Sequence, residues 1–138
     1  MTLAIYLIDT SALFRIIQQP KVQEAWADQL AAGLIATCPV VELEFLYSAR
    51  SLADRLEKQR LLRDLFGWVP ISDRACERAA EVQQSLTELG EHRSAGAIDL
   101  MIAATAEQER LTVLCDDHDY LTVSRVTGQP VRLVTMTL

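Results

Sequence analysis

The chain has 138 residues, of which half are hydrophobic and 23% are charged, with five glycines and four prolines. This length suits one domain, and the composition excludes collagen-like, low-complexity and mostly disordered proteins. The formal net charge of −6 argues at first against a nucleic-acid partner, because phosphate binding normally leaves a basic footprint. If five of the 19 acids form one metal site, however, the other 14 nearly balance the 13 lysines and arginines.

The first half of the chain predicts two strands and three helices. Residues 3–8 form a continuous apolar run typical of a strand buried on both faces. A short helix is predicted over 12–17, and apolar residues then recur every four positions over 21–33, which indicates one amphipathic helix. A second strand is predicted over 34–36. A helix over 39–47 follows, with proline at its first position.

The second half continues the alternation of helices and strands. The predicted elements are a helix over 51–66, a strand over 68–71, a helix from the N-cap Ser72 to Gly90, a polar loop over 91–96, a helix over 98–106, a strand over 111–114 and a last strand over 131–136. Strands that alternate with helices indicate an α/β sandwich around a largely parallel sheet. We expect a single domain over residues 1–138.

Cysteine use and the N-terminal segment bear on the compartment. The three cysteines are odd in number, lie roughly 38 residues apart and form no CxxC pair, so neither a disulfide scaffold nor a cysteine-rich zinc site is expected. The apolar run over 3–8 lacks a basic leader and is too short for a membrane span. We therefore expect a cytoplasmic protein with no membrane partner.

Acidic residues follow two of the predicted strands. Asp9 ends the first strand, and an acidic segment over 116–119 ends the strand over 111–114. Ligands of open parallel sheets bind outside the carboxyl ends of the strands, where the crossover direction switches. Two further acids, Glu44 and Asp99, lie in or near the first turn of apolar helices. Each acid alone also fits an ordinary role as a helix cap or turn former.

Taken together, these acids indicate a metal site. Several carboxylates at one edge of a sheet would repel and raise each other's pKa unless a divalent cation neutralised them. Carboxylates are hard oxygen ligands that suit Mg²⁺ or Mn²⁺, and with only two histidines a zinc site is a poor competitor. Metal-dependent phosphodiester hydrolysis is the leading prediction.

Other enzyme classes lack their key residues. The sequence contains no P-loop, dinucleotide or nucleophile-elbow motif. Phosphoreceiver domains and haloacid-dehalogenase-like phosphatases usually need a lysine at a later strand end, but Lys21 and Lys58 are the only lysines. His92 and Arg93 could touch an RNA phosphate, although a basic pair in a polar loop is more often simply solvated.

Four segments, taken in order, resemble a known family. They are LIDTSAL over residues 7–13, PVVELEFLYSAR over 39–50, HR at 92–93 followed by IDLMIAATA over 98–106, and VLCDDHDY over 113–120. At these spacings they resemble the PIN-domain ribonucleases, and specifically the VapC-type toxins of toxin–antitoxin pairs. The resemblance covers nearly the whole chain. It implies a PIN-like three-layer α/β/α sandwich with a central, mainly parallel sheet.

The resemblance also implies the site residues. The predicted catalytic and metal-binding acids are Asp9, Glu44, Asp99 and Asp117, with Asp119 as a further metal ligand. Glu44 is preferred to Glu42. The choice matters because side chains that are two residues apart on a helix point in different directions. Thr10 or Ser11 matches the hydroxyl that supports the metal site, and Tyr120 matches the aromatic residue after the last acid. Asp116 occupies a variable position and is left out.

The implied activity is an endoribonuclease, dependent on Mg²⁺ or Mn²⁺, that cleaves structured RNA such as tRNA or rRNA through a metal-activated water. The implied partners are a VapB-type antitoxin, whose C-terminal segment enters the groove, and a second copy of the chain. The chain would bind DNA only indirectly, through the antitoxin. Phe14, Trp26 and Phe45 could lie either in an exposed interface or in the core, and the sequence does not separate these two uses.

Two alternatives remain open. The first is a catalytically silent PIN-fold binding module, whose acidic groove captures an arginine-bearing partner peptide. The second is a phosphatase that is not a nuclease, against which the missing lysine counts.

Overall fold

The computed structural model of the protein describes residues 3–135, and this range contains five strands and eight helices. The strands are β1 (Tyr6–Ile8), β2 (Ile35–Thr37), β3 (Gly67–Trp68), β4 (Thr112–Cys115) and β5 (Val131–Leu133). The helices are α1 (Thr10–Gln18), α2 (Pro20–Ala25), α3 (Ala27–Ala31), α4 (Pro39–Leu46), α5 (Leu52–Leu65), α6 (Asp73–Glu88), α7 (Ala97–Glu109) and α8 (Asp119–Thr127).

The strands form one parallel sheet in the order β3-β2-β1-β4-β5. Tyr6 of β1 is in register with Ile35 of β2 and with Thr112 of β4. All residues of β1 and β2 are buried, so both faces of the sheet are covered, as is usual for parallel sheets. Helix α1 packs against α2 and α4, α7 packs against α6 and α8, and both α1 and α7 contact β4. The predicted α/β sandwich is confirmed.

The aromatic side chains left open by the sequence divide between core and surface. Trp26 and Phe45 are fully buried, whereas Phe14 is half-buried against the ring of Phe45. Their large apolar area makes Trp26 and Phe45 part of the single core. They therefore do not provide an exposed interface in this chain.

The single helix predicted over 21–33 is wrong. The structure has two short helices, α2 and α3, separated by a turn at Trp26. The indole is buried, its Nε1–H donates to the Val134 carbonyl at 2.8 Å, and it meets Tyr6 edge-on. The four-residue spacing of apolar residues fits both one continuous helix and the observed pair of short helices, so periodicity alone does not reveal the break.

Other elements also differ from their predicted bounds. Strand β1 covers only Tyr6–Ile8 of the predicted 3–8, and the predicted burial of the whole run is wrong, because Leu3 and Ile5 are 75% and 49% exposed. Strand β3 has only two residues, since Pro70 cannot donate to a strand ladder. The last strand ends at Leu133, and the predicted end at Met136 lies outside the described residues. Helix α8 was not predicted, although Tyr120 and Val123 are buried three residues apart and Gly128 ends it at φ 75°.

Most of the helix bounds follow from local capping. Ser72 accepts a hydrogen bond from the Ala75 N–H and begins α6 as predicted. Helix α1 begins at Thr10, two residues before its predicted start, because Asp9 is its N-cap. Within residues 3–135 no helix is long and apolar enough to cross a membrane.

The order of the strands defines where a ligand site can form. Chain connections leave β1 towards β2 on one side, whereas β4 lies on the other side. The carboxyl ends of β1 and β4 are adjacent, and the Asp9 N–H donates to the Leu114 carbonyl at 2.9 Å. This edge is the topological switch point of the sheet, where open α/β proteins bind their ligands.

Candidate metal centre

Asp9 lies at the switch point, directly after β1, and is held by the start of α1. Its Oδ1 accepts a hydrogen bond from the Ala12 N–H at 2.9 Å, and the Ser11 hydroxyl donates to its Oδ2 at 2.9 Å. Only 4% of Asp9 is exposed. The carboxylate is therefore fixed in direction and largely removed from water.

The electrostatics of Asp9 show which acids are its neighbours. Burial raises its pKa from the ordinary value of 3.8 to about 6, against the lowering effect of the hydrogen bonds from Ala12 and Ser11. The negative charges of Asp99 and Asp117 raise this pKa further. Three acids that are distant in sequence therefore lie close enough at this edge of the sheet to interact through their charges.

Asp99 is oriented by two hydrogen bonds. It is the third residue of α7, where its Oδ2 accepts from the Gly96 N–H at 3.3 Å. Its Oδ1 accepts from the Tyr120 hydroxyl at 3.1 Å. Burial raises the pKa of Tyr120 well above its ordinary value, so this phenol remains protonated and acts as a donor.

Asp117 and Asp119 belong to the same edge. The Oδ1 of Asp117 accepts from the Asp119 N–H at 2.9 Å, where α8 begins. Partial desolvation raises the pKa of Asp119, and the charges of Asp117 and Asp99 raise it further. The structure thus brings four of the predicted acids together.

Glu44 reaches this edge through Thr10, not through the other acids. It lies in the second turn of α4, so its predicted place in or near the first turn is wrong. Its Oε1 accepts from the Thr10 hydroxyl at 2.5 Å. Glu42 accepts instead from the Thr37 hydroxyl at 2.7 Å. The two hydroxyls therefore have separate roles: Thr10 contacts Glu44, and Ser11 contacts Asp9.

Two contacts at the site were not predicted from the sequence. The Arg15 Nε donates to the Asp116 carboxylate at 2.6 Å, and the Tyr120 hydroxyl holds Asp99. Arg15 follows Ser11 by four residues on α1, and this spacing places both on one helix face. His92 and Arg93 are exposed in the loop before α7.

The acids suit a hard divalent cation bound by few protein ligands. In the part of the chain that the structure describes, no three His, Cys, Asp or Glu side chains form a group that could hold a metal by themselves. Mg²⁺ commonly takes one or two carboxylates and completes its shell with water and substrate phosphate. Burial is the main cause of the raised pKa of Asp9, and the charges of Asp99 and Asp117 add to it; a bound cation would stabilise the ionised carboxylate against both effects.

The pKa of Asp9 predicts how stability depends on pH in the metal-free protein. Between pH 3.8 and about 6 the folded protein binds this proton more tightly than the unfolded chain does. The free energy of unfolding should therefore fall as the pH rises through that window, by roughly 2–3 kcal/mol.

Urea denaturation in EDTA at pH 4 and pH 7.5, with wild-type and Asp9→Asn proteins, checks this expectation. The difference in unfolding free energy between the two proteins should shift in favour of Asp9→Asn at the higher pH. An equal difference at both pH values would show that Asp9 titrates normally.

Comparison with known proteins shows the family to which the chain belongs. Residues 6–126 match the PIN domain. The chain is 38% identical over 129 residues to Ribonuclease VapC21 of Mycobacterium tuberculosis, which covers 94% of this chain and 93% of that protein. It is 35% identical over 133 residues to Ribonuclease VapC2 of the same organism, which covers 94% and 92%.

Solved structures show the same fold. DNA-bound VapBC from Salmonella typhimurium superposes with a TM-score of 0.77 at 18% identity, over 96% of this chain and 99% of that chain. VapBC2 from Rickettsia felis, bound to a promoter DNA fragment, superposes with a TM-score of 0.76 at 19% identity, over 93% and 97%. The PIN-domain match extends from β1 into α8, and the likeness to the two VapC proteins spans nearly the whole of each chain. The chain therefore belongs to the PIN-domain family and to its VapC group.

Proposed function

We propose that the chain is a metal-dependent endoribonuclease, using Mg²⁺ or Mn²⁺, and the toxic component of a VapBC-type pair. The observation that carries this proposal is the meeting of Asp9, Asp99 and Asp117 at the switch point of the sheet. The relatives at 35–38% identity, which are named ribonucleases, support the choice of RNA as substrate.

One or two of the acids Asp9, Asp99 and Asp117 would bind the cation directly and the rest through its water shell, with Glu44 and Asp119 beside them. When bound, the cation would activate a water and stabilise negative charge on the scissile phosphate. The chain's own hydrogen bonds keep two of these carboxylates in place beforehand, through Ser11 and Ala12 for Asp9 and through Tyr120 for Asp99. Such preorganisation lowers the cost of assembling the site.

The acids also set a condition for RNA binding. Carboxylates at Asp9, Asp99 and Asp117 repel an approaching phosphate in a partly buried site, where charge interactions are less screened than in water. A divalent cation offsets two of these negative charges and offers a phosphate oxygen a ligand position. RNA binding at this edge should therefore depend on the cation as strongly as cleavage does.

The activity is tested on total cellular RNA incubated with the purified chain, with Mg²⁺ or with EDTA, followed by mapping of the new ends. We expect a few discrete cuts in structured RNA such as tRNA or rRNA, all of them lost in EDTA. A folded chain that binds Mn²⁺ but makes no cuts would overturn the proposal in favour of a silent binding module.

The proposed partner is a VapB-type antitoxin. The solved structures with the same fold are toxin–antitoxin complexes by name. A groove of about 840 Å³ lies between α1, α4 and α5, with Phe14, Ile17 and Leu61 in its lining. Its apolar lining and charged rim fit an amphipathic peptide segment. Co-purification of the chain with the product of an adjacent reading frame tests this assignment.

We also propose a homodimer. Leu43 on α4 and Tyr47, the C-cap of this helix, are 62% and 92% exposed, and aromatic side chains are favoured in interfaces. Sedimentation equilibrium should give twice the mass of the chain, and Tyr47→Lys should lower the association constant. A monomer at all concentrations would contradict the assignment.

Glu44 and Glu42 give a matched pair of substitutions on one helix. Glu44→Gln should reduce RNA cleavage by roughly 10- to 100-fold, because it removes an acid that Thr10 holds at the site. Glu42→Gln should leave the rate within about threefold of wild type, because Glu42 bonds to Thr37. Equal losses in both variants would contradict the assignment of Glu44.

Tyr120 should act through Asp99. Tyr120→Phe keeps the buried ring but removes the hydrogen bond to Asp99, so the dissociation constant for Mn²⁺ should rise by roughly 10-fold. Isothermal titration calorimetry measures this change, with Tyr47→Phe as the control, since Tyr47 is almost fully exposed. Unchanged Mn²⁺ binding in Tyr120→Phe would remove Tyr120 from the site.

A further inference from the structure

A chain of polar contacts links α1 to the turn between β4 and α8. The Arg15 Nε donates to Asp116 Oδ2 at 2.6 Å, and the Asp116 N–H donates to the Ser11 hydroxyl oxygen at 3.3 Å. That hydroxyl in turn donates to Asp9 Oδ2 at 2.9 Å. Ser11 and Arg15 are four residues apart and share a face of α1. Together they form hydrogen bonds with both the backbone and the side chain of Asp116.

The hydrogen bonds of Arg15 and Ser11 with Asp116 have two consequences for the acids at the sheet edge. Asp116 directly precedes Asp117, so a fixed Asp116 limits where the Asp117 carboxylate can lie. The carboxylate of Asp116 is compensated by a guanidinium and is only 18% exposed. Without that partner its negative charge would add to an edge of the sheet that already carries the carboxylates of Asp9, Asp99 and Asp117.

We propose that Arg15 is a positioning residue for the metal centre. It holds the turn that carries Asp117 against α1 and keeps the Asp116 carboxylate away from the cation. In this scheme Arg15 contacts neither the cation nor the RNA. The inference rests on the proposed function, because it assigns Asp117 to the cation that the proposed nuclease uses.

A direct role for Arg15 on RNA is the alternative that a test must separate. Its side chain is 42% exposed, and guanidinium groups bind phosphates well. The two roles differ in their dependence on Asp116. Positioning requires the carboxylate of Asp116, whereas phosphate binding does not.

Mn²⁺ binding in the absence of RNA is therefore the first measurement, by calorimetry on full-length Arg15→Ala, Asp116→Asn and the double variant. Each single variant should raise the Mn²⁺ dissociation constant by roughly 10-fold. This is the lower end of the range of about 10- to 100-fold for groups that hold metal ligands in place. The carboxylate freed in Arg15→Ala attracts a divalent cation by about fivefold at a separation of about 8 Å in water, so Asp116→Asn, which frees no charge, gives the cleaner value. The double variant should be no weaker than either single one, since both remove the same contact.

Arg15→Lys and Arg60→Ala complete the set. Arg15→Lys keeps the charge and should recover part of the Mn²⁺ affinity. It also provides a folded variant if Arg15→Ala is unstable. Arg60→Ala removes an exposed arginine of α5 and should bind Mn²⁺ as wild type does. RNA cleavage measured on the same proteins should follow the order of their Mn²⁺ affinities.

The outcomes separate the inference from the proposed function. Wild-type Mn²⁺ affinity in both Arg15→Ala and Asp116→Asn would overturn the positioning role. A loss of cleavage confined to Arg15→Ala, with Mn²⁺ binding intact, would likewise overturn it and assign Arg15 to the RNA. If wild type binds Mn²⁺ and the single variants bind it weakly, but no protein cleaves RNA, the positioning role stands and the nuclease proposal fails.

Discussion

Replacing Asp9 with Asn is expected to lower the rate of RNA cleavage by more than about 100-fold, since even groups that only orient metal ligands are worth 10- to 100-fold. Asp9 is the most buried of the acids at the switch point and is fixed by Ser11 and Ala12. An amide is a far weaker ligand for Mg²⁺ than a carboxylate. Initial rates on an RNA fragment identified by end mapping measure the loss.

The fold should survive this substitution. Asn is as good an N-cap as Asp, so the bond from the Ala12 N–H to residue 9 is retained. The amide also removes the buried charge whose cost appears in the raised pKa of Asp9. Circular dichroism should therefore show an unchanged spectrum and, in EDTA at pH 7.5, a melting temperature no lower than that of wild type.

Asp73→Asn is the matched control for Asp9→Asn. Asp73 is an exposed aspartate in the first turn of α6, and the same change of charge there should leave cleavage within about twofold of wild type. Full activity in folded Asp9→Asn protein would contradict the site. An equal loss in Asp73→Asn would show that net charge, not the location of the acid, is responsible.

Replacing Trp26 with Ala is expected to reduce the free energy of unfolding by roughly 3–5 kcal/mol, the usual range for a large aromatic residue in a core. Trp26 has no exposed surface and contacts Tyr6 edge-on. Its indole also bonds to the Val134 carbonyl, which joins the corner between α2 and α3 to the segment after β5. Because the free energy of unfolding of a whole domain is only about 5–15 kcal/mol, this variant should be close to unfolded at 37 °C.

Two further tryptophan variants separate the contributions. Trp68, the other tryptophan in the sequence, is 53% exposed at the edge of the sheet, so Trp68→Ala should cost less than about 1 kcal/mol. Trp26→Phe keeps a ring but loses the bond to Val134, and its cost should lie between those of the two alanine variants. Urea denaturation provides all three values. A Trp26→Ala loss no larger than that of Trp68→Ala would contradict the core described here.

The strands and most helices were predictable because their signals are local. Buried parallel strands require continuous apolar runs, and the run over residues 3–8 contains β1, although only Tyr6–Ile8 forms the strand. Ser72 predicts the start of α6 because its side chain caps the helix. The break at Trp26 is different in kind, since it depends on a hydrogen bond to Val134, 108 residues away. No local pattern encodes such a contact.

Helix α8 escaped prediction for a related reason. Its first turn contains one acid of the candidate site, Asp119, and its polar composition resembles a loop. Only Tyr120 and Val123 reach the core, so the apolar stripe is too short to read as a helix. The segment forms a helix because the two buried side chains pack inward.

The candidate site was predictable in its acids but not in its supporting contacts. The carboxylates follow strand ends and helix starts, which the sequence reveals. The bonds from Tyr120 to Asp99, from Thr10 to Glu44 and from Arg15 to Asp116 each join separate elements. They depend on the order of the strands, which single-sequence patterns do not specify.

The most direct test of the site is anomalous X-ray diffraction from crystals of the chain soaked in Mn²⁺. This measurement locates the cation without reference to RNA or to any variant. The account predicts one or two strong anomalous peaks within coordination distance of Asp9, Asp99 or Asp117. Strong peaks elsewhere, with no density beside these carboxylates at saturating Mn²⁺, would contradict the metal centre at the switch point.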